Sequence, residues 1–366
     1  MPALSLREAF TARAIGVIWD AYKQSMGIQP YLGDGYFPRE KSATMELRWF
    51  LGSNGLPVSL TPSNFDALAT VRDRIGFKEV QTEMPFFRES YLVKEKDAQD
   101  YENVMNAADS AVAQEVLKNI ALGPVDLVRG ANVVPERMRW QLLCPLDGSP
   151  KISISANGVN YDYNYDIDGS YKANNFVELS GTSAWDDLEN SDPIEDLRKA
   201  IKVMKKRGKI IKAANMNDNT WLKVCKNKKT ARYLLAKNPT AVVEITEKNV
   251  KQYIKDELEL ETIVYDKLYK GEDGKERTFI PDGMVSLVPG KTSLGKTKYG
   301  KTPEERSGDK STGELQIVET GISLYTFTTP HPIVTQCICS EIVLPTFERM
   351  MDTYTIKAYS AEEDAS

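Results

Sequence analysis

One stretch of the sequence matches a nucleotide-binding motif letter for letter. Residues 290–297, GKTSLGKT, fit the phosphate-binding pattern G-x-x-x-x-G-K-[ST], and the apolar run MVSLV lies just before them. In such a loop the backbone amides and Lys296 would hold phosphate groups, and the hydroxyl of Thr297 would bind magnesium. The motif therefore defines one hypothesis, a P-loop NTPase.

The residues that follow the motif argue against this hypothesis. A phosphate-binding loop leads directly into a helix, whose N-terminus helps to hold the anion. Here the next stretch, KYGKTPEERSGDKSTG, is interrupted by Gly300, Pro303 and Gly308. Only about seventy residues remain after the motif, too few for the strands and helices that complete a nucleotide-binding sheet. We therefore interpret residues 290–297 as a surface turn rich in glycine and lysine.

Histidine and cysteine are too few to suggest a catalytic or metal centre. The chain has one histidine, His331, and four cysteines, Cys144, Cys225, Cys337 and Cys339. A single histidine leaves little scope for a histidine-based triad, and no fourth ligand completes a zinc pattern with His331 and the last two cysteines. We expect free thiols, no metal and no cofactor, with Cys337 and Cys339 packed on the same side of a strand.

Other catalytic signatures do not occur in the sequence. It contains no G-x-S-x-G, no H-E-x-x-H and no D-x-D-x-D-G pattern. The small basic cluster at Lys205, Lys206 and Arg207 is typical of a solvated helix end, where cations interact well with the helix dipole. The residue types therefore favour a protein that is not an enzyme.

The composition is that of an ordinary globular chain. Its 366 residues are 41% hydrophobic and 27% charged, with a net charge of −5, so a core can form and a cationic nucleic-acid-binding balance is missing. No apolar run approaches the ~20 residues of a membrane span. The first residues also lack the basic start and continuous apolar stretch of a signal peptide. We expect a cytoplasmic location without membrane contact.

The N-terminal region is predicted to form a helix and a linker. Residues 5–24 show apolar residues at helical spacing, and Ser5 with Glu8 fits a capping box. This helix could pack on its own domain or act as an arm that docks on a neighbour. The next segment, GIQPYLGDGYFPRE, is typical of an extended linker.

A long β-rich excursion follows the first predicted strand at 44–50. Residues 58–93 have β-forming residues at both ends, while Pro62 and Pro85 disfavour central strands. A two-stranded ribbon cannot bury both of its faces by itself. We therefore expect this segment to need a partner, from the rest of this chain or from another chain.

A long helical region and a hairpin come next. Apolar residues recur at four-residue steps over 97–143, where Pro124 fits a first helical turn and Pro135 should kink the helix or restart it. The alternating stretch KISISANGVNYDYNYDI is centred on Asn157-Gly158. This pattern predicts a β-hairpin.

The remainder reads as an α/β region that returns to strands. We predict helices over 193–206, 217–235 and 247–256, with the short strands KIIKAANM and AVVEI between them. GEDG should join two later strands as a tight hairpin. Residues 299–313 predict a polar loop, and the end of the chain regains strand character.

Several short segments, in order along residues 36–357, resemble one protein family. FIPDGMV at 279–285 is similar to the family's F-x-P-D-x-x-M-V strand, and the LG and YG pairs at 294–295 and 299–300 are similar to its next turn. Further matches are Pro303-Glu304-Glu305, Trp185 with Pro193, and Met216-Asn217 with Trp221. On these segments the chain resembles the phage lambda major capsid protein family.

The resemblance implies an α+β chain with the HK97-like capsid fold. The implied regions are an N-terminal arm with an amphipathic helix (1–43), a peripheral-domain strand (44–57), an extended loop (58–93), a peripheral domain with a spine helix and hairpin (94–185), an axial domain (186–330), and a return strand with an acidic tail (331–366). The extended loop would lie across an adjacent subunit. Its candidate contact residues are Phe65, Arg72, Arg74, Phe77, Phe86, Phe87 and Arg88.

The same resemblance implies a major capsid protein. Such a protein self-assembles into pentamers and hexamers that form the icosahedral head shell around a phage double-stranded DNA genome. Its implied partners are further copies of itself, a scaffolding protein, a portal, in some relatives a decoration protein, and packaged DNA that lies inside the shell without sequence-specific binding. It would be found in the virion, and in the host cytoplasm during assembly. An encapsulin-like or gene-transfer-particle shell protein and, more remotely, a P-loop NTPase remain the alternatives.

Overall fold

The structure is a computed structural model. It describes residues 10–25, 30–51, 78–97, 99–100, 110–156, 158–237, 246–290, 292–307 and 313–360. The chain divides into two compact units: unit 1 comprises Met1–Arg48, Gln81–Arg137 and Lys296–Thr346, and unit 2 comprises Trp49–Val80, Met138–Gly295 and Phe347–Ser366. None of the described helices is long and apolar enough to cross a membrane.

Helices and strands alternate along the chain. The helices are α1 (Ala12–Ser25), α2 (Gly33–Tyr36), α3 (Ser110–Leu143), α4 (Ser170–Asn175), α5 (Pro193–Lys206), α6 (Asp218–Lys226), α7 (Lys228–Lys237), α8 (Glu247–Leu258) and α9 (Pro303–Ser307). The strands are β1 (Arg39–Lys41), β2 (Glu46–Leu51), β3 (Lys78–Glu83), β4 (Phe86–Val93), β5 (Lys151–Ala156), β6 (Val159–Asn164), β7 (Phe176–Glu178), β8 (Ala213–Met216), β9 (Glu261–Val264), β10 (Leu268–Lys270), β11 (Glu276–Thr278), β12 (Met284–Val288), β13 (Thr297–Tyr299), β14 (Glu314–Val318), β15 (Ile322–Pro330), β16 (Ile333–Pro345) and β17 (Tyr354–Lys357).

Unit 1 contains a six-stranded sheet in which the long strand β16 is central. The strand order is β1-β13-β16-β15-β14, and β4 also pairs with β16. The pairs that β16 makes with β4, β13 and β15 are all antiparallel, and β1 pairs with β13 in parallel. β15 and β16 form a hairpin, and His331 lies in its turn between Pro330 and Pro332, because proline favours turn conformations.

The apolar core of unit 1 lies between this sheet and helices α1 and α3. Ile15 and Trp19 of α1 are buried against a cluster that includes Leu324 of β15 and Cys337 and Cys339 of β16. The helix predicted over 5–24 is thus present from Ala12, while residues 5–9 lie outside the described part of the chain. The helix packs on its own unit, which is the first of the two alternatives given above, packing on its own domain or docking on a neighbour.

Helix α3 continues through two prolines. We expected a helix start at Pro124 and a kink or restart at Pro135, but the chain forms one helix of 34 residues that contains both. Each internal proline costs roughly 3 kcal/mol because a backbone hydrogen bond is lost. Val125, Val128 and Leu142 are fully buried on this helix, and such burial contributes about 1.5–3 kcal/mol per side chain. Burial of the apolar face therefore outweighs the local cost.

The segment predicted as an extended linker folds on the sheet instead. Within it α2 forms a single turn, and the amide of Gly33 donates a hydrogen bond to Glu136 Oε1 at 3.0 Å. Tyr36 and Phe37 are buried, and β1 then adds to the sheet beside β13. The linker prediction was wrong because these aromatic side chains stabilise the segment by burial, although its glycines and prolines are typical of loops.

A network of charged and polar groups centred on Arg39 joins several elements of unit 1. The guanidinium makes a two-pronged contact with Asp34, with Nε–Oδ1 at 2.8 Å and Nη2–Oδ2 at 3.0 Å. Its Nη1 donates to Asn132 Oδ1 of α3 at 2.8 Å and lies 3.6 Å from Glu319 Oε2. A planar guanidinium can satisfy all these acceptors at once, which an ammonium group cannot do. Arg39 thus ties the α2–β1 segment to α3 and to the β14–β15 turn.

Glu319, in the β14–β15 turn, extends this network to α1. Its Oε1 accepts hydrogen bonds from Trp19 Nε1 at 3.1 Å and from Lys23 Nζ at 2.8 Å. Burial alone would raise the pKa of this carboxyl group. The hydrogen bonds from Lys23 and Trp19 and the charges of Lys23 and Arg39 outweigh that effect, so the pKa of Glu319 lies below its ordinary value.

The lowered pKa of Glu319 predicts a pH-dependent contribution to stability. This contribution is fully present above the ordinary glutamate pKa of 4.5 and is lost as the pH falls through the lower native value. The Glu319→Gln variant should therefore lose less stability than the wild type when the pH is lowered over that range. Urea unfolding midpoints measured as a function of pH test this, with the exposed Glu276→Gln as control. Equal pH slopes for the wild type and the Glu319 variant would contradict it.

Unit 2 contains a five-stranded sheet with the order β7-β17-β12-β8-β9. The two outer pairs, β7 with β17 and β8 with β9, are parallel, and β12 is antiparallel to both of its neighbours. All five residues of β12 are buried, as the apolar run MVSLV predicts. The core of this unit also buries Trp185, Leu197 and Met204 of the α5 region, Trp221 of α6 and Ile254 of α8.

Helix boundaries in unit 2 follow their capping residues. The side chain of Asp192 accepts a hydrogen bond from the amide of Glu195, and α5 runs over the predicted residues 193–206. The single helix predicted over 217–235 is two helices, because buried Asn227 ends α6 and its Oδ1 accepts from the amides of Lys229 and Thr230 in α7. That prediction was wrong because the apolar spacing continues across a residue that caps a new helix.

Other local predictions for unit 2 hold. β5 and β6 form the hairpin expected around Asn157-Gly158, and Gly158 has the positive φ of 79° that such a turn needs. β10 and β11 pair across the Gly271–Gly274 turn. The short strand predicted over 241–245 lies outside the described residues.

The FIPDGMV segment has a defined structural part in this unit. Gly283 has φ of 78°, and a Cβ atom there would clash with the carbonyl oxygen of Tyr359. Asp282 accepts hydrogen bonds from the side chains of Asn217 and Asn219 at the start of α6. The segment therefore holds the entry to β12 against α6 and the end of β17.

Candidate assembly site around strand β4

Strand β4 is the part of the predicted extended loop that the structure describes best. The sequence FFRESYLV favours a strand, and Pro85 lies just before it, where its missing amide interrupts no ladder. Phe86, Phe87 and Arg88 pair in register with Ile342, Glu341 and Ser340 of β16. Arg88 is exposed and the two phenylalanines are half-buried. The start of β4 therefore presents three candidate contact residues at one place.

Arg88 is held in place by its own chain. Its Nη2 lies 2.5 Å from Glu304 Oε1 of α9, and its guanidinium carbon lies 4.6 Å from the ring centre of Phe86. The other carboxylate oxygen of Glu304 accepts a hydrogen bond from Ser340 Oγ at 2.8 Å. Only 9% of the Glu304 side chain is exposed, so this carboxylate depends on both donors. The ion pair thus joins β4, α9 and β16.

Helix α9 is itself fixed by its N-terminal residue. Thr302 Oγ1 accepts from the amide of Glu305 at 3.3 Å and lies 2.7 Å from Ser323 Oγ in β15. Glu305 pairs with Lys41 of β1 at 2.7 Å. The prediction of a polar loop over 299–313 missed this helix, whose five residues are too short for a periodic signal.

The phosphate-loop match does not have the geometry of a nucleotide site. Strand β12 precedes it, but Thr297 begins strand β13 and no helix follows directly. Thr297 is buried and its hydroxyl donates to the carbonyl oxygen of Phe37 at 2.9 Å, while Lys296 Nζ lies 2.6 Å from Glu40 Oε2. These two side chains bind protein groups instead of phosphate and magnesium. Leu294 and Thr297 are fully buried, so the stretch is not a surface turn throughout, as we had expected.

The cysteines behave as packing residues. Cys144, Cys337 and Cys339 are buried, Cys225 is half-buried, and all four are free thiols. Burial raises the pKa of Cys337 and of Cys225 to about 12. Cys337 and Cys339 share one side of β16 within the apolar cluster, which confirms their predicted packing. Within the described ranges, no three histidine, cysteine or acidic side chains are grouped so that they could hold a metal ion.

A comparison with known protein families shows which family the chain belongs to. The sequence model of the family described as phage major capsid protein E matches residues 17–322. The chain belongs to this phage major capsid protein family. Among curated proteins, no sequence matches the chain.

Two solved structures are similar to this capsid protein over almost their whole length. A phage-related protein from Bordetella bronchiseptica RB50 is 13% identical, with 96% of this chain and 99% of that chain covered and a TM-score of 0.54. A protein assigned as a prophage capsid protein in Escherichia coli CFT073 is 15% identical, with 93% and 98% covered and a TM-score of 0.55. These likenesses concern the fold, and with the family match they confirm the α+β, HK97-like capsid fold. As a member of this family the chain is a capsid shell protein, a virion component that associates with copies of itself.

The candidate contact residues of this capsid protein fall into two groups. Phe86, Phe87 and Arg88 are brought together at the start of β4, whereas the remaining candidates lie outside the described residues: Phe65, Arg72, Arg74 and Phe77. We expected the ribbon to need a partner from the rest of this chain or from another chain, and for β4 the partner is in its own chain, because β16 pairs with β4 over its whole length. The contact of these seven residues with a neighbouring subunit stays a prediction.

Sequence reasoning missed the two residues that hold Arg88. Glu304 was noticed only as part of a family resemblance, and Ser340 was not singled out at all. The pairing register of β4 and β16 places Ser340 opposite Arg88, and no short-range signal in the sequence reveals that register.

The Arg88–Glu304 pair predicts a measurable coupling in stability. Arg88→Met should destabilise the chain by about 1 kcal/mol, since Arg88 is partly exposed while Glu304 would keep a buried charge. Glu304→Gln should cost a similar amount, and the double variant should cost less than the sum of the two. Guanidinium unfolding of all four proteins gives the coupling energy. Strict additivity would contradict the pairing. The exposed pair Lys270 and Glu276, 3.8 Å apart, supplies a control cycle.

Proposed function

We propose that this chain is a major capsid protein that assembles into pentamers and hexamers and thereby forms the icosahedral head shell around a phage double-stranded DNA genome. The family match over residues 17–322 is the observation that carries the proposal. The role is structural, without an enzymatic activity. The chain would assemble in the host cytoplasm with a scaffolding protein and a portal, and in some systems a decoration protein.

The regional roles belong to the same proposal. Residues 1–43 would be the N-terminal arm, 58–93 the extended loop and 186–330 the axial domain, with peripheral-domain segments at 44–57, 94–185 and 331–366. The pairing of β4 with β16 and the Arg88–Glu304 contact support a loop whose second end is fixed to its own subunit. The part before β3, residues 58–77, would then be the part that reaches a neighbour, with Phe65, Arg72, Arg74 and Phe77 as its contacts.

The alternatives have less support. An encapsulin-like or gene-transfer-particle shell would use the same fold, but the family that matches is a phage capsid family. A P-loop NTPase needs Lys296 and Thr297 at a phosphate, whereas these side chains contact Glu40 and Phe37.

Electron microscopy of the purified protein is the direct test of the proposal. Negative staining, with light scattering on the same sample, should show closed shells or pentamers and hexamers, with a scaffolding protein supplied if the chain alone stays monomeric. A protein that remains monomeric under both conditions would refute the assembly proposal.

The extended-loop assignment predicts a separation of folding from assembly. A deletion of about 60–90 would remove most of β4, so a sharper test replaces only 58–77 with a short Gly-Ser linker. This variant should keep the thermal unfolding midpoint of the wild type within a few degrees, because β4 and β16 still pair. It should form no shells. Normal shells from the folded variant would overturn the loop assignment, and Lys270→Gln serves as a control that should assemble normally.

The contact of Lys296 with Glu40 leads to a separate prediction. Lys296→Ala removes an ion pair between two partly exposed groups, so it should change stability by less than about 1 kcal/mol and leave assembly intact. Neither the wild type nor the variant should bind ATP with magnesium in isothermal titration calorimetry. ATP affinity that is present in the wild type and lost in Lys296→Ala would restore the enzyme hypothesis.

A further inference from the structure

The modest net charge of the chain conceals one strongly basic segment. Residues 198–237 contain fourteen lysines and arginines and a single acidic residue, Asp218, whereas the whole chain has 47 basic and 52 acidic residues. The rest of the chain therefore carries a clear acidic excess. The net charge of the whole chain does not reveal this segment, because it averages over the basic and the acidic parts.

The basic segment comprises most of α5 and all of β8, α6 and α7, and the apolar sides of these helices are buried inside unit 2. Leu197 and Met204 of α5 and Trp221 and Val224 of α6 are buried in its core, so the lysines project from the opposite sides. Lys202, Lys205, Lys206 and Lys226 are exposed. Arg207, by contrast, donates to the carbonyl oxygen of Asn174 and to Asn175 Oδ1, so only part of the predicted solvated helix end is solvated.

The turn between α6 and α7 is built next to the start of α5. Buried Asn227 donates from Nδ2 to Ser191 Oγ at 2.8 Å, one residue before the cap of α5. Tyr233 of α7 donates to Asp192 Oδ2 at 2.9 Å. The α6–α7 turn therefore lies at the start of α5, where Glu195 and Asp196 occupy the first turn, and the exposed lysines of α5 lie toward the other end of this helix, whose fourteen residues span about 21 Å.

Part of this charge is not neutralised within the molecule. Five of the basic side chains pair with described carboxylates: Arg198 with Glu195, Lys199 with Asp196, Lys209 with Asp352, Lys212 with Glu259, and Lys228 with Glu189. Among the residues that the structure describes, no carboxylate lies within 4 Å of the ammonium groups of Lys202, Lys205, Lys206 or Lys226. Lys228 and Lys229 also occupy the first turn of α7, where positive charge is unfavourable beside the helix dipole. These two lysines are held by the chain itself, since Lys228 pairs with Glu189 and Lys229 Nζ donates to the carbonyl oxygen of Asn190, so the charge that is open to an external anionic partner is that of Lys202, Lys205, Lys206 and Lys226.

The chemistry of the surface distinguishes between possible partners. Protein interfaces are depleted in lysine and enriched in aromatic and apolar groups, which the four exposed lysines do not supply. A single phosphate or carboxylate would need convergent donors, whereas these charges are spread over α5 and α6. A phosphate backbone fits both features, because it is an extended polyanion that is bound chiefly through lysine and arginine.

We propose that the basic segment, residues 198–237, binds the phosphate backbone of double-stranded DNA without sequence specificity. The inference rests on the proposed function, which supplies enclosed DNA as the partner. In an assembled shell, the solvent-exposed sides of α5 and of the α6–α7 turn would then face the DNA inside the shell.

DNA binding by the purified full-length chain in its unassembled form tests this inference. The probe is a fluorescent 30-base-pair duplex, measured by anisotropy over a range of salt concentrations, with a second duplex of unrelated sequence. The test variant combines Lys202→Gln, Lys205→Gln, Lys206→Gln and Lys226→Gln. The control variant combines Lys94→Gln, Lys96→Gln, Lys270→Gln and Lys275→Gln, four exposed lysines outside the segment, so that both variants lose the same net charge.

The wild type should bind both duplexes equally, with affinity that falls steeply as salt rises. Each phosphate contact contributes about 0.9 to the slope of log affinity against log salt, so the test variant should lose up to about 3 to 4 units of slope and at least tenfold in affinity at low salt. The control variant should retain most of both. Thermal unfolding of each protein verifies that it is folded. The eight lysines that are substituted in the test and control variants are all exposed.

Any of the following results would overturn the inference. An equal loss in both variants would make it an effect of net charge, and no DNA binding at low salt would remove the partner. If poly-L-glutamate binding, but not DNA binding, depends on the four lysines, the surface serves an acidic protein. Shell formation is measured separately by electron microscopy, so a failure of the assembly proposal is distinguishable from a failure of this one.

Discussion

The register of strand β16 is the constraint on which unit 1 depends. Its thirteen residues pair with β15 along one edge and with β4 and then β13 along the other. A slip of one residue would move Cys337 and Cys339 from the apolar cluster to the opposite face of the sheet. The same slip would separate Ser340 from Glu304 and hence disturb the support of Arg88. Core packing and the candidate assembly site are therefore fixed by a single alignment.

Where a short-range signal and the tertiary structure agree, the sequence predicted the fold well. Asp192-Pro193 started α5 because the cap and the fixed proline φ both act within one helical turn. Gly158 marked a hairpin because only a few residue types adopt its backbone conformation readily. Family-like segments such as FIPDGMV were informative for the same reason, since the positive φ of Gly283 and its close approach to Tyr359 require glycine.

The errors arose where distant contacts decide the outcome. The helical spacing across Asn227 gave no sign that its side chain would bond Ser191 and start a new helix. The prolines of α3 are tolerated because the helix is buried, which local propensity does not register. The partner of β4 lies more than 240 residues later, at β16, so reading 58–93 alone could not reveal it. The sequence singled out Phe86, Phe87 and Arg88 as contact candidates, which stays a prediction, but it did not reveal that Glu304 and Ser340 support Arg88.

The burial of the cysteines has a consequence for the chemistry of the assembled particle. A shell repeats every reactive group of its subunit many times, so even one exposed thiol per subunit would make the particle prone to oxidation and cross-linking. Burial raises the pKa of Cys225 and of Cys337 to about 12, which disfavours the reactive thiolate form at neutral pH. The native thiols should therefore react slowly. A cysteine introduced at an exposed position, such as Lys275 in the β10–β11 turn, would give the shell one addressable label per subunit.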